Sequence, residues 1–267
     1  MTRALSSLQS VWAFRGFIAA SVRRDYQLRY RSTVLGFAWN LLQPLAMILI
    51  YTLIFSQLMR TRLDGSNNPF AYGIHLCAGI FTWNLFAEII QRSQSMFLDN
   101  ANLLKKQRFP RMALPLIVVS TALLNFSIVL LLFLSFLLFS GNFPGIGLWA
   151  LLPLLAIQIL FSMGLGLSLG VLNIFFRDVG QLSNLALQLW FWATPIVYPV
   201  GILPSWLLPW MQLNPMYHLV RGYQTIFLST GTLDWTSLSL LAAASLVICG
   251  YALILFRRHA GDIVDEL

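Results

Sequence analysis

From residue 32 to residue 59 the chain carries no charged side chain, and Arg15, Arg23, Arg24, Arg29 and Arg31 come just before that run. About 20 apolar residues in a helix cross roughly 30 Å of hydrocarbon. Residues 29–44 (Arg-Tyr-Arg-Ser-Thr-Val-Leu-Gly-Phe-Ala-Trp-Asn-Leu-Leu-Gln-Pro) therefore mark where the chain leaves a positive aqueous surface and enters lipid. A membrane satisfies no backbone hydrogen bond, so a spanning element is either a helix or part of a closed barrel. The apolar runs here are continuous rather than alternating, which argues for helices.

Six such segments are expected, over residues 34–58, 70–90, 112–140, 148–176, 182–200 and 236–256. The composition agrees: 58% of residues are hydrophobic and 10% charged, against roughly 25% charged in a soluble domain. The fold class is an all-α polytopic membrane protein. Two regions are expected: an amphipathic interface segment over 1–31 and a six-span domain over 32–267. In the first, Val11, Phe14, Ile18 and Val22 recur at helical steps, interrupted by Asp25. Such a helix suits the membrane surface.

The connectors orient the chain. With the N-terminus inside, all 17 basic residues except Arg60, Arg62 and Arg221 fall on the cytoplasmic pieces 1–33, 91–111, 177–181 and 257–267. This follows the positive-inside rule and places both termini in the cytoplasm. The formal net charge of +8 is thereby accounted for by topology rather than by nucleic acid. Cys77 and Cys249 lie in apolar segments, and His75, His218 and His259 are scattered, so no metal-ligand spacing arises.

Much familiar chemistry is missing. Lys105 and Lys106 are the two lysines, and neither stands in a phosphate-cradling Gly-x-x-x-x-Gly-Lys-Ser/Thr loop. Any ATPase must be another polypeptide. Asp-x-Asp, His-Glu-x-x-His and Gly-x-Ser-x-Gly do not occur either, so no catalytic residue is expected. Glu88, near the inner end of the second segment, has Arg92 four residues on, the spacing of a same-face ion pair. Ser162, Gly166 and Gly170 recur every fourth residue, a helix-packing signal.

Two connectors carry more than topology needs. Residues 91–111 hold Asn100, a candidate cap, then Leu103, Leu104, Lys105, Lys106, Arg108 and Phe109, with Pro110 as a breaker. A short helix exposing leucines and lysines suits docking to a cytoplasmic partner. Residues 194–228 are proline-rich yet nearly uncharged, with Pro204, Trp206, Trp210, Asn214 and Pro215. Either re-entrant helices form an outer lid there, or the tryptophans anchor an aromatic belt. Channel-lining candidates are Trp39, Asn40, Gln43, Tyr51, Phe55, Trp190, Trp192 and Tyr198, with Arg29 and Arg31 at the inner mouth.

Residues 29–44 resemble the start of the first span in membrane subunits of ATP-binding-cassette exporters for polysaccharides and polyol phosphates. Leu103-Leu104-Lys105-Lys106-Gln107-Arg108-Phe109-Pro110-Arg111, Phe176-Arg177-Asp178-Val179, Thr194-Pro195-Ile196-Val197-Tyr198-Pro199 and Asn214-Pro215-Met216 extend the resemblance in order along nearly the whole chain. It implies a homodimer of six-span subunits in a bacterial inner membrane, paired with two cytoplasmic ATPase subunits that bind ATP and Mg, and no cofactor on this chain. It also implies export of a lipid-linked polysaccharide such as O antigen, with residues 11–30 as interface helix, 100–109 as the ATPase-coupling segment, 201–210 and 214–228 as outer gate helices, and spans one and five along the channel. A capsule or teichoic-acid export permease is the alternative within the family. An ATP-independent channel or scaffold, and a membrane enzyme of glycan assembly, are the alternatives outside it.

Overall fold

The computed structural model describes residues 15–30, 38–55, 68–105 and 112–266. Among them all regular structure is helical: α1 (Arg15–Tyr30), α2 (Trp39–Leu49, continued by π-helical Ile50–Phe55), α3 (Ala71–Asp99), α4 (Ala101–Leu104), α5 (Ala113–Phe139), α6 (Leu151–Phe175, preceded by a 3-10 turn), α7 (Asp178–Trp192), α8 (Leu208–Gln212), α9 (Pro215–Leu228), α10 (Trp235–Arg258) and α11 (Asp262–Asp265). Among the described residues four helical stretches are long and apolar enough to cross a membrane: Ala71–Asp99, Ala113–Phe139, Gly145–Phe175 and Trp235–Arg258. The chain is a helical membrane protein.

The bundle is built round α3. In its most apolar stretch 78% of residues are buried, against 22–28% in the other three long helices. It packs on α5, α6 and α9 and touches α7 and the π turn of α2. α6 meets α3 on one side and α10 on the other. Close approach is what the small residues of α6 allow. A Cβ at Gly166 would stand 2.7 Å from the Ser93 Cβ, and one at Gly170 would strike the Ser93 carbonyl. The four-residue spacing of Gly166 and Gly170 is thus a seat for Ser93.

Side chains fill the bundle in two clusters. The larger includes Phe81, Phe86, Phe133, Phe161 and Tyr223, with ring pairs such as Phe86–Phe161 at 5.7 Å and Phe133–Phe227 at 5.1 Å. The smaller joins Phe97, Leu104, Leu114 and Phe256 at the end of the bundle that also carries Arg92, Lys105, Arg177, Arg257 and Arg258. We call this the basic end.

Helix boundaries differ from the expected spans where polar residues extend or end a helix. The second segment continues as helix through Asp99, so Gln91–Asp99 belongs to α3 rather than to a connector. The helix of the fifth segment stops at Trp192. Thr194 turns its hydroxyl back to the Trp190 carbonyl at 2.9 Å, and the chain bends through Pro195. Pro44 stands inside α2 without ending it.

Candidate functional site

At the basic end Arg92 and Glu88 of α3 link three helices. Arg92 donates from Nη1 to Asp25 Oδ2 of α1 at 2.8 Å and from Nε to Glu88 Oε1 at 2.9 Å. Asn125 of α5 donates to the same Glu88 oxygen at 2.6 Å. The i,i+4 pair read from the sequence is present. Asp25, which breaks the apolar stripe of α1, is the residue that ties α1 to the bundle. Ile18 and Val22 of that stripe are half-buried and buried, and α1 lies against α5; Val11 and Phe14 are outside the described residues.

A second polar cluster joins α3, α6 and α7 just beside it. Gln94 donates to Asn184 at 3.2 Å and accepts from the Ser183 hydroxyl. Asn173 donates to the Gln94 carbonyl at 2.9 Å and accepts from the Gly180 amide at 2.9 Å. Gln94, Asn173 and Ser183 are buried, and buried polar groups of this kind are retained when satisfied. Deeper in, buried Gln158 donates to the Thr82 carbonyl at 2.7 Å. The sequence reading missed these groups. The signal was uncharged polar side chains inside apolar helices, which mark packing partners.

The expected coupling residues divide. Lys105 is exposed, while Lys106, Arg108 and Phe109 lie outside the described residues. Leu104 corrects the expectation of exposed leucines: it is 3% exposed, held in the inner cluster, and Leu103 is half-buried. Asn100 occupies the cap position of α4 without a side-chain capping bond and instead donates to the Met96 carbonyl at 2.8 Å.

At the far end of α7 the residue that organises the chain is Asn214. It accepts from Trp190 Nε1 at 2.8 Å and from the Met216 amide at 3.0 Å, and donates to Thr194 Oγ1 at 2.9 Å. With Pro215 behind it, this starts α9. α9 then runs along α3, where Gln224 approaches the His75 ring at 3.2 Å. Pro204, Trp206 and Trp210 are exposed, and Pro215 is half-buried.

Of the channel candidates, Trp190 packs among Trp83, Phe86 and Phe161 in the core. Tyr51 is half-buried against the same cluster. Tyr198 donates to the Trp192 carbonyl at 2.9 Å. Trp39, Gln43 and Trp192 are exposed. They stand on two apolar stripes, Trp39, Leu42, Leu49 and Leu53 of α2 and Leu182, Leu185, Leu189 and Trp192 of α7. The side chains of Arg29, Asn40 and Phe55, and all of Arg31, are outside the described residues. No group of three His, Cys, Asp or Glu that could hold a metal occurs among the described residues.

A helical bundle with a basic end, a surface helix pinned to it and two bare apolar stripes defines an integral membrane protein. The chain belongs to the ABC-2 type transporter membrane family, whose model matches residues 17–228. It is 32% identical over 262 residues to the O-antigen export system permease protein RfbA of Myxococcus xanthus, covering 97% of this chain and 98% of that relative. To the protein of the same name from Klebsiella pneumoniae it is 31% identical over 240 residues, 88% of each chain. To the polysialic acid transport protein KpsM of Escherichia coli it is 24% identical over 247 residues, 91% of this chain and 93% of that one.

Proposed function

We propose that this chain is the permease subunit of an ATP-driven exporter that moves a lipid-linked polysaccharide of the O-antigen kind across the inner membrane. The observation that carries this reading is the near end-to-end match to O-antigen export permeases. The lower identity to the polysialic acid transporter favours O antigen over capsule.

The working unit is a homodimer with two ATPase subunits that bind ATP and Mg. The bare stripes on α2 and α7 support this assembly, since both are unpartnered in one copy and both carry channel candidates. Trp39, Gln43 and Trp192 are the residues assigned to the channel wall, with Arg29 and Arg31 at its inner mouth. α2 and α7 complete the six spans. The gathering of Arg92, Lys105, Arg177, Arg257 and Arg258 at one end supports cytoplasmic termini.

Between α7 and α10 a re-entrant lid is supported by Asn214, which starts α9 beside Trp190, level with the middle of α3. ATP binding on the partner pushes on α1 and on the segment around Lys105 and Lys106. The Arg92–Asp25 contact passes that push into α3.

The experiment is glycan export in cells carrying Lys105→Glu with Lys106→Glu. Loss of export with the chain still in the membrane, together with loss of the co-purifying ATPase, is expected. Normal export with normal co-purification overturns the coupling role.

A further inference from the structure

A cleft of about 650 Å³ opens at the basic end between α1, α3, α4 and α5, a volume typical of small-ligand sites. Met96, Leu114 and Val118 form its apolar wall. Among the described residues its charged lining is Arg24 and Asp25 from α1 with Arg92 and Asp99 from α3, two of each sign. Arg92 and Asp25 bind each other. Asp99 accepts from the Ser95 hydroxyl at 2.7 Å and keeps acceptor capacity. Arg24 is exposed and has no hydrogen-bond or ion-pair partner among the described residues.

One further atom points into the question of a ligand. Thr121 lines the cleft, is 2% exposed, and its hydroxyl oxygen has no hydrogen-bond partner among the described residues. Hydroxyls in helices commonly donate to the carbonyl four residues back, as those of Thr52, Thr82 and Ser127 do here. Thr121 does not, and an unsatisfied buried hydroxyl is unfavourable unless something else meets it.

We propose that this cleft binds the headgroup and glycerol region of a zwitterionic phospholipid with a primary amine, of the phosphatidylethanolamine type. The phosphate meets the free Arg24 guanidinium, the ammonium donates to Asp99, an ester carbonyl accepts from Thr121, and the first acyl carbons lie on Leu114 and Val118. The charges of the described lining cancel, which suits a zwitterion. An anionic lipid or a polyprenyl diphosphate would face Asp25 and Asp99 with Arg24 as the one spare cation of the described lining. A quaternary ammonium has no N–H for Asp99. The site depends on the chain being a membrane protein and is independent of what it exports. A lipid seated there makes the position of α1 sensitive to the composition of the leaflet.

The test is native mass spectrometry of the delipidated full chain in detergent, with phosphatidylethanolamine, phosphatidylcholine, phosphatidylglycerol, a polyprenyl diphosphate and free phosphoethanolamine as probes. Phosphatidylethanolamine is expected to bind most tightly, and Arg24→Gln or Asp99→Asn to weaken it about tenfold. Thr121→Val keeps the shape of the wall and removes the orphan hydroxyl, so the variant folds but holds the lipid less well. Equal binding of the three phospholipids, a preference for phosphatidylglycerol, or wild-type binding by Thr121→Val and Arg24→Gln overturns the proposal. Tighter binding of the polyprenyl diphosphate overturns it in favour of a transport substrate. Free phosphoethanolamine binding as well as the lipid overturns the lipid assignment.

Discussion

Arg92 of α3 reaches Asp25 of α1 at 2.8 Å while its Nε holds Glu88 at 2.9 Å, so one half-buried guanidinium links the N-terminal helix to the central one. Both pairs are part-exposed, so each is worth less than a buried pair. Asp25→Asn is expected to leave the bundle folded, with a loss of about 1 kcal/mol or less, and to release α1. Accessibility of a cysteine placed at Ser21 to a polar thiol reagent measures that release. Unchanged labelling would show that α1 is held by Ile18 and Val22 alone.

Arg92→Leu should cost more than Asp25→Asn. It strands Glu88 with Asn125 as its remaining partner, and a part-buried carboxylate without its cation costs about 1–3 kcal/mol. Adding Glu88→Gln should restore most of the loss, because the neutral amide still accepts from Asn125. Thermal unfolding in detergent of the single and double variants reads the difference.

Gly170→Leu is expected to separate α3 from α6. The new side chain would meet the backbone of Ser93, which cannot rotate aside, and overpacking costs about 1–3 kcal/mol or more. Leu at exposed Gly147, where nothing stands nearby, is the matched control and should melt as wild type.

Asn214→Ala removes an α9 cap and the acceptor of Trp190 together. Loss of a cap costs about 1 kcal/mol, and the stranded indole N–H adds to it. Trp190→Phe should cost less in that background than in wild type, because the shared bond is already gone. A fully additive double variant would refute the shared bond.

Asp234 caps α10 by accepting from the Ser237 hydroxyl at 2.6 Å and amide at 3.1 Å. The hydroxyl bond, then the amide bond, hold its carboxyl below the ordinary value of 3.8. Its contribution to stability is therefore complete above that value and is lost as pH falls through the lower folded value. Melting curves of wild type and Asp234→Ala should differ near neutral pH and converge in strong acid.

Much of this architecture was legible because lipid leaves the backbone few options. The spans 112–140, 148–176 and 236–256 sit within a few residues of Ala113–Phe139, Gly145–Phe175 and Trp235–Arg258, since an apolar run of that length has no other stable form. The Glu88–Arg92 pair and the Gly166/Gly170 seat were also visible, because both depend on spacing within one helix. Leu104 was misjudged as exposed. Nothing in its neighbours reveals that α4 folds back onto Phe97 and Leu114.

Residues 29–44 mark where charge gives way to lipid. Hydropathy and charge, being properties of single residues summed along a helix, sufficed to specify a membrane protein with one basic end. Helix packing makes α3 the most buried of the long helices, sets Asp25 against Arg92, and seats Asn214 at the start of α9 against Trp190. Those relationships join residues 67 and 24 positions apart. A contact at such range is set by which helix faces pack together, and no local period encodes it.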